Sequence, residues 1–120
     1  MYKKSVTALT AAALLAGAAI GWVGAAQAQD DAAATWTKYQ EAVRLAELCR
    51  DMSHDSAAWG KMGPYIDSKV NHEIGGGERL TLVETAKTDA RKLSKHGGCD
   101  SDDGKGLLAL YDSELAPLLQ

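Results

Sequence analysis

Apolar residues along most of the chain return every three or four positions, the repeat of a helix with one buried face. At about 100° per residue, Trp36, Tyr39, Ala42, Val43, Ala46 and Cys49 share one arc, so a first helix is predicted from Asp31 to Asp51. Gln40, Arg44, Glu47 and Asp51 fall on its opposite side. A second apolar stripe, Trp59, Met62, Ile66, Val70 and Ile74, predicts a helix from Ser56 to Ile74. Gly60, Gly63 and Pro64 interrupt it, and Pro64 either opens a restarted helix or kinks a continuous one. Gly75-Gly76-Gly77 is expected to end it. Thr81 and Glu84 have the spacing of a capping box ahead of a third stripe, Leu82, Val83, Ala86, Ala90 and Leu93, which Gly97-Gly98 stops. A fourth helix follows Asp102-Asp103, either of which can cap it, and buries Leu107, Leu108, Tyr111, Leu115 and Leu118. Pro117 weakens its last turn. Phe is absent and no β-branched cluster suggests a strand.

The first residues follow another logic. Met1-Tyr2-Lys3-Lys4 is basic, Ser5 to Gly24 is uncharged and rich in Ala, Leu and Gly, and Ala26-Gln27-Ala28 is an A-x-A site. These are the three parts of a secretory signal peptide, so residues 1–28 are expected to be cleaved, leaving 29–120 as a single helical domain in the periplasm or outside the cell. An uncleaved membrane anchor is the weaker alternative, because Ala and Gly insert less favourably than Leu. No other apolar run reaches the ~18–20 residues of a membrane span.

An oxidising compartment makes Cys49 and Cys99, the two cysteines, one disulfide. In the chain-entropy picture so long a loop stabilises by about 4 kcal/mol, which matters in a domain of this size. Short loops between amphipathic helices favour antiparallel neighbours, so the expected fold is all-α, an up-down bundle of three to four helices. In that topology the end of the first helix and the end of the third share a pole, where Cys49 and Cys99 already lie.

Removing 28 of 120 residues leaves 92, and the net charge moves from −3 to −5 because Lys3 and Lys4 leave. One acidic domain of this length is unsuited to general nucleic-acid binding, which needs a basic face. The acid excess gathers at the cysteine pole: Asp51, His54 and Asp55 in the first loop, and His96, Asp100, Asp102 and Asp103 around the third. Helix capping uses two of those five carboxylates. The remainder make these seven residues candidate ligands for a hard cation, calcium or a lanthanide, with the imidazoles able to recruit a transition metal instead. A site with only a few surface ligands could also pair two chains through the ion. The run Asp100-Ser101-Asp102-Asp103-Gly104 is not an EF-hand loop, since neither Gly104 nor Gly106 at the sixth position gives the ligand pattern.

Other motifs carry less. His72-Glu73 lies off the apolar stripe, the triple glycine is followed by no P-loop Lys-Ser/Thr, and no Ser/His/Asp spacing marks an activated nucleophile. The chain therefore reads as a small binding protein rather than an enzyme. The alternative is a protein-interaction module without metal. In layout the chain resembles the periplasmic acid-stress chaperones, which are also small, secreted, helical and bridged by one long-range disulfide. The resemblance implies acid-dependent client binding; it carries no shared motif and transfers no residue.

Overall fold

A computed structural model describes residues 31–120. The expected signal peptide, residues 1–28, lies outside the described residues. Four helices, with no strand among the described residues, make an all-α domain. α1 occupies residues 31–50, α2 Ser56–Lys69, α3 Gly76–Lys95 and α4 Asp102–Leu110. A 3-10 turn, Gly98–Asp100, joins α3 to α4, and α4 continues as a π turn, Tyr111–Leu115, and a 3-10 turn, Ala116–Leu119.

The stripes meet as their periodicity requires. Trp36, Tyr39, Ala42, Val43 and Ala46 of α1 are buried against Met62 and Ile66 of α2, Ala90 of α3, and Leu107, Tyr111 and Leu115 of the last helix. Leu45, Met62, Ile66 and Leu115 are fully enclosed, each contributing about 1.5–3 kcal/mol of transfer free energy. Polar ties fix the register. The Trp36 indole N–H donates to Asp67 at 3.1 Å, and Arg79 pairs with the same carboxylate at 2.9 Å. The start of α1, the end of α2 and the start of α3 are thus fastened at one end. At the other end Cys49 and Cys99 form the expected disulfide, with Cα atoms 5.8 Å apart.

Several boundaries differ from expectation. α2 stops at Lys69, five residues early, because Asn71 and His72 both take left-handed φ, +54° and +59°. Val70 and Ile74 remain buried beyond its end. Gly75-Gly76-Gly77 does not end α2; Gly75 is the N-cap of α3 and the next two glycines lie in its first turn. Thr81 is therefore inside α3 and forms no capping box with Glu84; its carbonyl accepts instead from the Thr85 hydroxyl at 3.1 Å. Pro64 sits within a continuous α2. α4 is capped by Ser101, whose Oγ accepts from the Gly104 N–H at 3.0 Å, and not by Asp102 or Asp103, which occupy the first turn. Gln40, expected on the outer face of α1, is buried.

Candidate functional site

The seven predicted site residues separate into three groups. His54 turns inward and its side chain is only 2% exposed. Its ring Nδ1 lies 2.8 Å from Glu47 Oε2, the backbone N–H of His54 donates to that oxygen at 3.0 Å, and Nε2 lies 2.6 Å from the Tyr111 hydroxyl. For a neutral imidazole beside a carboxylate, Nδ1–H donates to Glu47 and Nε2 accepts from Tyr111 O–H. Both ring nitrogens are then engaged, so His54 fastens the loop to α1 and α4 and is not placed to ligate a metal. Burial pushes the Tyr111 phenol up. Arg44 braces the other Glu47 oxygen at 3.2 Å.

The second group is exposed or capping. Asp55 accepts from the Ala58 N–H at 2.8 Å as N-cap of α2. Asp51 is exposed with φ +49°, and Asp100 is exposed in the 3-10 turn. Among the described residues, no three His, Cys, Asp or Glu side chains come together as a metal would require.

The third group lies along one cleft. His96, Asp102 and Asp103 line an open cleft of about 680 Å³ with Lys38 and Glu41 of α1 and Asp89 and Lys92 of α3. Leu93 and Leu107 give it an apolar floor. α1, α3 and the first turn of α4 thus each supply at least one carboxylate. The Glu41 carboxyl is held above the usual range, first by burial and then by the negative charges of Asp89 and Asp103. Four carboxylates against the two lysines leave the cleft net negative.

The α1 and α3 residues of this cleft lie outside the loops where the acidic runs stand in the sequence. Their signal was in the helical period: Lys38 and Glu41 are spaced i, i+3, and Asp89, Lys92 and His96 are spaced i, i+3, i+7, each set on one face.

A separate polar cluster closes the far end of the last helix. Tyr39 and Tyr65 each donate to Glu114 Oε1 at 2.6 Å, and Lys69 approaches it at 3.8 Å. The two phenols, and then Lys69, hold Glu114 below the ordinary carboxylate range. Burial and the Glu114 carboxylate push the Tyr39 phenol up. Arg50 grips Asp112 with two bonds of 2.6 and 2.8 Å and holds that carboxyl low. Within the π turn, Tyr111 meets His54, Asp112 meets Arg50, and Glu114 meets both Tyr39 and Tyr65.

The chain matches no family model, no curated protein and no solved structure. Among the described residues no helix is long and apolar enough to cross a membrane.

Proposed function

We propose that this is a small binding protein whose cleft between α1, α3 and α4 takes a cationic ligand. The observation that carries this reading is that Glu41, Asp89 and Asp103 line one cleft, where burial first, and repulsion from the two aspartates second, raise the Glu41 carboxyl. A bound positive charge removes that repulsion. The cleft is within the range of small-molecule sites, Leu93 and Leu107 line it, and among the described residues no three acidic or His side chains come together as a metal would require. Those features favour an extended organic cation, with ammonium groups separated by methylenes, over the calcium or lanthanide ion that the acidic loops suggested. The ammonium groups meet carboxylates and the methylenes cover Leu93 and Leu107.

Calorimetric titration of the full chain with spermidine at low ionic strength tests this. Binding in the micromolar range is expected, weakened at least tenfold in high salt by screening, and weakened in Glu41→Gln and Asp103→Asn. Parallel titrations with calcium and a lanthanide separate the two chemistries: tighter binding of either ion than of spermidine returns the site to a metal. No heat from any of the three at millimolar concentration refutes the cation reading.

A further inference from the structure

The cleft and the disulfide share their supports. Glu41 and Lys38 belong to α1, the helix that carries Cys49. His96, Asp102, Asp103, Gly106 and Leu107 flank Cys99 on the facing segment. That segment behaves as one piece. The Gly104 backbone lies so close to Gly98 that a Cβ there would fall 1.6 Å from the Gly98 carbonyl oxygen. Ser101 Oγ donates to the same carbonyl at 2.6 Å while accepting from Gly104 N–H at 3.0 Å. A bond to Cys99 therefore grips the first turn of α4, with Asp102 and Asp103 on it.

The bond also works against a force. Glu41 on α1 and Asp103 on α4 repel across the cleft, with Asp89 of α3 adding to the repulsion; Asp102, Lys38, Lys92 and His96 are the other titratable groups lining the cleft. The Cys49–Cys99 bond joins the helix that carries Glu41 to the segment that carries Asp103. Both cysteines are half-buried rather than enclosed in the core.

We propose that Cys49–Cys99 is a redox latch on the cleft: its reduction frees the Cys99–Asp103 wall from α1 and lowers affinity for the cation. The step is a two-electron thiol–disulfide exchange. A dithiol reductant, small or protein, gives up two electrons and two protons; the S–S bond breaks, two thiols form, and the reductant closes to its own disulfide. Linkage makes the effect reciprocal. A cation that binds the oxidised form tighter by some factor shifts the reduction equilibrium by the same factor. The proposal rests on the cation reading of this cleft.

The test combines two measurements on the full chain. First, Cys49→Ser/Cys99→Ser is titrated with spermidine beside the oxidised wild type. At least tenfold weaker binding is expected, with helical circular dichroism retained at low temperature. Equal affinity overturns the latch, and so does loss of helical signal, since the bond would then hold the whole fold rather than one wall. Second, hydrogen exchange compares oxidised wild type with protein reduced by dithiothreitol, without ligand. Faster exchange confined to residues 98–107, with 36–46 still protected, is expected. Unchanged exchange at 98–107, or a rise everywhere, overturns it. Because this second measurement needs no ligand, failure of spermidine to bind sinks the cation reading without obscuring whether the wall is released.

Discussion

Two glycines in α4, Gly104 and Gly106, should respond to the same substitution with opposite sign. An alanine Cβ at Gly104 would meet the Gly98 carbonyl oxygen at 1.6 Å, its carbon at 2.7 Å and Cys99 Cα at 3.2 Å. All three are backbone atoms of a turn held to α1 by the disulfide, so no side chain can swing aside. Overpacking of this kind costs about 1–3 kcal/mol or more, and the better helix propensity of Ala returns only about 0.5–1 kcal/mol. Gly104→Ala should therefore destabilise by about 2 kcal/mol, or roughly 8–16 °C in Tm for a domain of this size. At Gly106 nothing lies within 4 Å of the added Cβ, so Gly106→Ala keeps the propensity gain and should raise Tm by a few degrees. Thermal melts followed by circular dichroism at 222 nm, with the disulfide intact in both variants, measure the pair. If Gly104→Ala melts at or above wild type, the close approach of Gly98 and Gly104 is not a constraint on the fold, and the single-piece wall argued from it falls as well.

Three further outcomes follow from the polar clusters. His54→Ala removes a buried ring that engages Glu47 and Tyr111 and should lower stability by about 2–4 kcal/mol, because the Tyr111 hydroxyl is left without a partner; a urea midpoint equal to wild type would refute it. Glu114 has a depressed carboxyl, so its stabilisation is present above the unfolded pKa of roughly 4.3 and is lost as pH falls through the lower folded value. Glu114→Gln should therefore cost about 1–2 kcal/mol near neutrality, from two weakened charge-assisted bonds, and match wild type in strong acid. Glu41 is raised, so the sign reverses: its ionisation disfavours the fold as pH rises through the folded value. Glu41→Gln should stabilise at pH 7 by on the order of 0.5 kcal/mol, the scale of a solvent-screened charge pair, and the gain should vanish below about pH 4; a loss of stability at pH 7 would contradict the repulsion across the cleft.

The architecture was legible because two independent signals agreed. The 3.6-residue period located four buried stripes, and the up-down order brought Cys49 and Cys99 to one end, where the bond is found. The boundaries were less legible because several residues could satisfy the same backbone demand. Left-handed backbone at the end of α2 is supplied by Asn71 and His72, although three glycines that adopt it at lower cost stand four residues further on. Those glycines start α3, where their missing side chains cost nothing in contacts. At α4 three consecutive residues can cap. Ser101 takes the position, and Asp102 and Asp103 then sit in the first turn, where the helix dipole favours negative charge.

The site was half legible for a related reason. Charge and loop position placed seven residues at one pole, but loop residues have local work available to them. Asp55 caps a helix and His54 plugs a slot between helices, so neither is left to meet a ligand. Glu47, placed on the outer face by its angle around α1, is half-buried because the His54 loop folds over it. Helix-face carboxylates have fewer such outlets. Glu41 and Asp89 project from the middles of α1 and α3, beyond reach of any unsatisfied helix end. They meet Asp103 across a cleft instead of a backbone amide. That is why the excess of acid near the cysteines becomes chemically consequential only where α4 presents its first turn to the two long helices. The bond that holds that turn in place, Cys49–Cys99, therefore couples the cleft wall to the stability of the fold, and under the latch proposed above it would couple cation binding to reduction as well.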